Sequence, residues 1–462
     1  MSSKGISSSS QYFIDTISIQ SKVNGEFFEL VNLFDTIEIF ESMTHTFIHG
    51  KIYITDTNGL IESLPIIGQE QVRFKIKKLE TDSKYFEVIG HVYKISNRSR
   101  NSNRKGVETY IIEFITENSI LNQVQRVSKT YEGEISKAVE DISQNFLSLS
   151  KNSNPKPNVE KNPELYKDIY IENTKEKNKI NVPNMKPVEA INFLTKFSFS
   201  QGSGKNKNPY NTSYKFYQTR QGYFYQSIEN AISQNKKVDK AFLISNDPNI
   251  KNNNNILNKD DLYSVIDYSF LNFYDIFSSS DDGYYGGRNL GYDTLTKSIH
   301  KYDLKYIDKF DDMTHLDQND TNTSEFILNK VPEKSYIVSL PTKKGSIGSE
   351  YIKNKNKNKD IFYCKEDEID ILKKVKNERF NEGIVLEMTI PSNPFLYVNE
   401  VVYLHFPSFK RNSNGKKEYF DDKYFSGNYL VVSIDHTLTN IDDSAWFMKV
   451  TLLKDSYRSE IE

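Results

Sequence analysis

At 462 residues the chain exceeds one ordinary hydrophobic core, so about two to four domains are expected. Its 60 Lys+Arg balance 62 Asp+Glu to a formal charge of −2, which argues against a dedicated nucleic-acid binder. A single cysteine, Cys364, excludes an intramolecular disulfide framework and a multi-cysteine zinc site, and its acidic neighbours in "DIFYCKEDE" mark an inert thiol.

The N-terminal "MSSKGISSSSQYF" lacks the apolar core of a signal peptide, and no apolar run approaches the roughly 20 residues that cross a bilayer. No membrane span and assembly in a cytosol are therefore expected. Thirty Tyr and 29 Phe against one Trp favour sheet-rich domains, since these rings suit a pleated, half-buried surface.

From residue 11 to 118 the pattern has period two. "YFIDTISI" (12–19), "THTFIHGKIYI" (44–54), "EQVRFKIKKL" (70–79), "YFEVIGHVYKI" (85–95) and "ETYIIEFIT" (108–116) read as strands separated by turn residues and by the basic loop "SNRSRNSNRKG". Short strands without helical crossovers suggest an antiparallel barrel or sandwich.

After residue 118 the period changes. "EISKAVEDISQNFLSL" (134–149) spaces Ile135, Val139, Ile142 and Phe146 for an amphipathic helix. The polar "KNSNPKPNVEKNP" follows as a linker or exposed loop. In "INVPNMKPVEAINFLTKFSF" (180–199), Pro187 is placed to open a helix with Val188, Ile191, Leu194 and Phe197 along one side. "SYKFYQTRQGYFYQSIENAI" (213–232) predicts a hairpin turning near Gln221-Gly222 and running into a short helix. "DDLYSVIDYSFLNFYDIFSS" (260–279) predicts a helix with Leu262, Val265, Ile266, Phe273 and Phe277 as its stripe, and 283–306 reads as β-like. Residues 307–377 are polar and loop-rich.

Period two returns in "GIVLEMTI" (383–390), "EVVYLHF" (400–406), "GNYLVVSIDHTL" (427–438) and "AWFMKVTLLKD" (445–455). Here "LPIIGQEQVRFKI" (64–76) and "PFLYVNEVVYLHF" (394–406) align at an offset of 330, with Glu70 on Glu400, Val72 on Val402 and Phe74 on Leu404. Each is a turn, a glutamate, then an alternating strand, and the strands that follow repeat in the same order. Two copies of one small β-domain around an α+β region explain the pattern.

No catalytic constellation is found. "GSGKNK" (202–207) lacks the first glycine and the Ser/Thr of a phosphate loop. His45 and His49 have helical zinc spacing, but on a strand they would lie roughly 13 Å apart. "DQNDTNTSE" (317–325) lacks the glycine and bidentate glutamate of a calcium loop. No cofactor, metal or catalytic residue is assigned.

The motifs taken together resemble the central baseplate hub protein of contractile-tailed phages and, more distantly, the hub region of type VI secretion spike proteins. The resemblance rests on "LPIIGQEQVRFKI", "VPNMKPVEAINFLTKFSF", "YKFYQTRQGYFYQSIE", "LGYDTLTK", "FSGNYLVVSIDHTL" and "VTLLKDS", in that order, over roughly 11–300 and 380–456.

The resemblance implies a β-rich α+β fold, with two similar small antiparallel β-barrels flanking an α+β middle region. The expected divisions are 11–118 (first barrel), 119–260 (middle domain), 261–306 (helix and strands leading into the second barrel), 307–377 (polar insertion) and 378–457 (second barrel). It implies a non-enzymatic virion protein of the tail baseplate, assembled in the host cytoplasm. A homotrimer would form a pseudo-sixfold ring that adapts a hexameric tail tube to a trimeric spike and surrounds a channel through which DNA passes without specific binding. Its partners would be the spike protein below, tail tube or tube-initiator proteins above, and tape-measure and baseplate wedge proteins. The competing expectation is a tail-associated peptidoglycan hydrolase.

Within the repeated motif, Pro65 and Gly68 shape the first turn, and Val72, Phe74, Val402 and Leu404 are alternating apolar strand positions expected to serve structure or an interface. Glu70 and Glu400 are expected either as exposed charges at strand starts or as partners for a basic residue across an interface.

Overall fold

The computed structural model describes residues 10–64, 66–78, 85–100, 107–152, 167–175, 178–200, 211–235, 238, 240–244, 265–293, 298–321, 335–338, 365–411, 417–440 and 444–459. Pro65, Cys364, "GSGKNK" and most of the expected 151–163 linker lie outside the described residues.

The N-terminal part is a run of strands: β1 (Phe13–Gln20), β2 (Phe27–Glu29), β3 (Phe34–Ser42), β4 (His49–Asp56), β5 (Gln71–Lys77), β6 (Phe86–Arg100) and β7 (Glu108–Ile115), with a one-turn helix α1 (Leu60–Ser63) between β4 and β5. Burial alternates along them: in β4, Ile52 and Ile54 are buried while Lys51 and Tyr53 are half-buried, as their sequence period requires. Phe114 of β7 reaches across two neighbouring strands, and its ring occupies the space that side chains at Gly50 and Gly90 would fill.

The middle region follows the change of period. Helices α2 (Glu117–Val124), α3 (Ile135–Leu147) and α4 (Pro187–Thr195) intersperse with strands β8 (Val127–Gly133), β9 (Ser150–Asn152), β10 (Asp168–Ile171) and β11 (Asn178–Met185). The α3 spacing buries Ile135, Val139 and Ile142, and Phe146 packs beside them, half-buried. Pro187 opens α4, where Glu189 accepts the Lys186 N–H at 3.1 Å. The hairpin β12 (Tyr214–Thr219) and β13 (Gly222–Ser227) turns at Gln221-Gly222, with Gly222 at φ 123°, and leads into α5 (Ile228–Gln234). Strands β9, β10, β13 and β12 form a sheet whose inner side packs on α3 and α4.

The remaining elements are β14 (Ala241–Leu243), β15 (Asp267–Asn272), α6 (Ile276–Asp282), β16 (Gly286–Asp293), β17 (Ser298–Lys305), a 3-10 turn (Tyr306–Asp312), β18 (Asn319–Asp320), β19 (Ser335–Val338) and α7 (Lys365–Glu382). These are followed by β20 (Ile384–Pro391), β21 (Val401–His405), β22 (Pro407–Arg411), β23 (Lys417–Asp421), β24 (Gly427–Thr439), β25 (Ala445–Lys454) and β26 (Ser456–Tyr457).

The helix expected over 260–279 is corrected. Leu262 lies outside the described residues; over 265–279 the structure has strand β15, paired antiparallel with β20, and the start of the short α6. Tyr268 and Phe270, two residues apart, both pack on Phe406, the first edge-on and the second stacked, so aromatic alternation overrides the three- and four-residue spacings. The boundary expected at 377 falls inside α7. Buried ion pairs also tie this stretch inward: Asp317 with Lys454 (2.5 Å), Asp320 with Arg379 (2.8 Å) and Glu229 of α5 with Lys376 (2.6 Å).

The N- and C-terminal strand groups have one connectivity. In sheet order β3-β4-β7-β6-β5 matches β15-β20-β25-β24-β21, every neighbouring pair antiparallel. The two modules are not separate closed barrels among the described residues. Thirteen-residue β24 pairs with β21 through its first residues and with β3 through its last, fusing both modules into one 13-stranded sheet over a shared core.

The Phe114 contact gives a test. Gly50→Ala and Gly90→Ala should each cost about 1–3 kcal/mol in urea unfolding, as overpacking does. Phe114→Leu should relieve Gly90→Ala, whose added methyl meets mainly that ring. It should not relieve Gly50→Ala, whose methyl also meets the Glu38 carbonyl.

Candidate assembly interface

Each module begins its third strand with the same turn. Gln69 (φ 78°) and Asn399 (φ 79°) both take the left-handed conformation, rare for a residue with a side chain. The Gln69 N–H donates to Val92 O at 2.7 Å and the Val92 N–H to Glu70 O at 2.8 Å. In the second copy Asn399 N–H donates to Val431 O at 2.9 Å and Val431 N–H to Glu400 O at 2.8 Å. A β-bulge follows at the next residue in both, Tyr93 and Val432.

The glutamate closes the turn. Glu70 accepts the N–H groups of Ile67 (2.7 Å) and Gly68 (3.0 Å), and Gly68 sits at φ 91°. Glu400 accepts the Tyr397 N–H at 3.2 Å and pairs with the Lys240 ammonium, which also donates to Phe395 O. Exposed strand-start charges are therefore corrected: Glu70 is fully buried and Glu400 half-buried, because each carboxylate satisfies turn N–H groups that would otherwise be orphaned. Lys240 is a basic partner within the same chain. Val72, Phe74, Val402 and Leu404 are all fully buried.

Where β24 meets β3, the ladder runs from Ser433–Ser42 to Thr439–Thr36. At its centre sits a buried trio from three segments: Glu41 (β3), His436 (β24) and Arg220, at the tip of the β12–β13 hairpin. Arg220 Nε donates to Glu41 Oε1 at 2.5 Å and its backbone N–H to Oε2 at 3.0 Å. The rest of the guanidinium donates to Pro394 O (3.2 Å) and Leu396 O (2.6 Å), the carbonyls of the second module's turn. Its plane lies 4.8 Å from the ring centres of both Phe86 and Tyr397.

Trp446 Nε1–H donates to His436 Nδ1 at 3.4 Å, so His436 carries its proton on Nε2 and donates to Glu41 Oε1 at 3.0 Å. Burial alone would raise the Glu41 carboxyl, but Arg220 and His436 hold it down at about 2. Burial pushes His436 down to about 4, so it is neutral at physiological pH. None of these three residues was singled out from the sequence. Their signal is there, since Glu41 and His436 occupy the inward positions after Ile37, Ile39 and Ile434.

Two other clusters lie elsewhere in the chain, and the first differs from its expected geometry. A bend at 43–47 brings the His45 and His49 ring centres to 6.1 Å, far closer than an extended strand allows. Where α6 meets α7, Asp282, Glu378 and Glu382 crowd within 4.8 Å. Burial, then the hydrogen bond and charge of Asp282, push Glu382 up to about 7.

No protein-family model matches the chain, and no curated sequence does. Solved structures match along nearly its whole length. A tail protein from Neisseria meningitidis MC58 has a TM-score of 0.50 at 10% identity, covering 96% of this chain and 97% of that one. The 43 kDa tail protein of prophage MuSo2 from Shewanella oneidensis has a TM-score of 0.51 at 8% identity, covering 97% and 100%. The chain thus shares the fold of phage tail proteins. No helix among the described residues is long and apolar enough to cross a membrane.

Glu41→Leu or Arg220→Met should each cost about 3–5 kcal/mol in urea unfolding, by leaving a buried charge alone. The double variant should cost less than the two singles summed. Stability should also fall with acid. Below pH 6.5 the unfolded His436 binds a proton that the native one does not until about 4, and below 4.5 Glu41 behaves likewise until about 2. His436→Gln should flatten the upper part of that decline, from pH 6.5 to 4, and leave the lower part.

Proposed function

We propose that the chain is the central hub of a phage tail baseplate: a structural virion protein without chemistry of its own. Three copies form a ring of six similar modules. The ring joins a sixfold tail tube to a threefold spike and leaves an axial passage for DNA. The observation that carries this reading is the repeated connectivity, β3-β4-β7-β6-β5 and β15-β20-β25-β24-β21, within one chain. Duplicating a module in a threefold assembly supplies six near-equivalent docking surfaces, which a single module in a trimer cannot.

Further support comes from the rigid coupling of the two modules. Arg220 grips both at once, so their relative placement is fixed within the chain and can repeat around a ring. The fold shared with two phage tail proteins fits the same assignment. The small net charge of −2 suits a passage that DNA must leave freely, since each phosphate contact adds affinity. The spike lies below the ring and tube or tube-initiator chains above it, with tape-measure and wedge proteins as further neighbours.

The purified chain should have three times its 53.7 kDa mass by light scattering, and a complex with its spike should weigh that plus the spike. A chain that stays monomeric at every concentration and ignores tube and spike proteins overturns the proposal. Cleared bands in a peptidoglycan zymogram would replace it with the hydrolase reading.

A further inference from the structure

We infer that neighbouring copies join by strand addition, with the outer edge of β15 in one copy pairing antiparallel against residues 94–100 of β6 in the next. This inference rests on the ring reading and specifies its joint.

The internal repeat carries the argument. Within one chain, β3 supplies its outer edge to the second half of β24, on the side that β21 occupies along the first half. The module equivalents of β3 and β24 are β15 and β6. Strand β6 is built like β24: β5 pairs with its first half and stops at His91, while β7 runs along the opposite edge from His91 to Arg100. Among the described residues no ladder lies on the β5 side beyond His91, and none on the outer edge of β15. The joint that fuses the two modules is thus made once inside the chain, and both halves of a second such joint are left open.

Both open edges carry the features of a contact. Ile266, Tyr268, Leu271, Phe273, Tyr274, Ile276 and Phe277 are all exposed, Phe277 by 87%, within twelve residues on and beside β15. Such a concentration on an edge strand is a pairing template that a protein monomeric in use would blunt with charge or proline. Tyr93 of β6 is 51% exposed.

The register transfers as well. The twin turns equate Val92 with Val431, and their ladder partners equate Phe114 with Leu452. Gly50 and Leu386 face these two, and Ile39 and Phe270 face those in turn, so Phe270 stands where Ile39 stands. Ile39 pairs with His436, whose place in β6 falls in the Asn97–Arg98 bulge, so Phe270 lies opposite that bulge. The extra residue at Leu271 is matched by an extra residue between Ser96 and Ser99. Continuing the ladder places Lys94 opposite Tyr274, Ser96 opposite Asn272, Ser99 opposite Ser269 and Arg100 opposite Tyr268. Lys94 and Arg100, ion-paired within the chain to Glu113 and Glu108, then face Tyr274 and Tyr268 and add cation–π contacts across the joint.

Cysteine pairs test the joint in a Cys364→Ser background. Ser99→Cys/Ser269→Cys and Arg100→Cys/Tyr268→Cys are adjacent ladder positions, so one of them falls on a non-hydrogen-bonded site, where opposite residues are closest. On mild oxidation at least one pair should give disulfide-linked species that stop at three chains in non-reducing gels. Each single-cysteine variant should give dimers at most. If light scattering shows trimers but neither pair cross-links, the joint is overturned and the hub reading stands. Monomers without cross-links overturn the hub reading and the joint with it. A ladder extending past three chains supports the joint and overturns the three-chain ring.

Discussion

The architecture depends on one buried charge. Glu41 lies on the inward face of β3, where an unpaired carboxylate would be strongly unfavourable, and it is tolerated because Arg220 and His436 converge on it. The three groups belong to the first module, the middle hairpin and the second module. Every polar atom of the guanidinium's hydrogen-bonding fork aims at a named acceptor, so the trio selects one relative placement of three segments rather than merely adding cohesion. The neutral imidazole completes the set without introducing a second positive charge.

The two modules keep their shape through a common local device and differ in how they finish it. Both need a left-handed residue followed by a glutamate whose backbone and side chain serve different tasks: the backbone starts the strand, the carboxylate ties off the turn. The first copy uses Gly68 and two turn N–H groups, and its carboxylate is wholly buried. The second has Val398 at that place and instead brings in Lys240, from the segment just before β14. Duplication has preserved the geometry while the means of satisfying it diverged.

Much of this fold was legible in the sequence, because most of it follows from simple periods. Alternation located the strands of both modules except the first of each, β3 and β15; Pro187 marked the start of α4, and Gln221-Gly222 marked the hairpin tip. The offset between Glu70 and Glu400 exposed the repeat. The failures have physical causes. Over 260–279, aromatic residues satisfy helical and extended spacings together, and only contact with Phe406 decides between them. Residues 307–377 read as a polar, loop-rich insertion, and nothing in that reading shows that Asp317 and Asp320 are buried against cations from other elements. Glu41 and His436 were readable in principle as charged or polar interruptions of an apolar face. Arg220 was not, since a hairpin tip gives no sign of what it touches.

The β3–β24 ladder also constrains how the polypeptide reaches its native state. Its two strands come from opposite ends of the chain, so during synthesis β3 is complete long before β24 exists. Until the last strands emerge from the ribosome, the early module carries an apolar margin and the Glu41 side chain with nothing to receive either. Non-local pairing of this kind slows folding and favours self-association of nascent chains. The same long-range pairing that fuses the two modules therefore makes the protein's biogenesis a problem of timing.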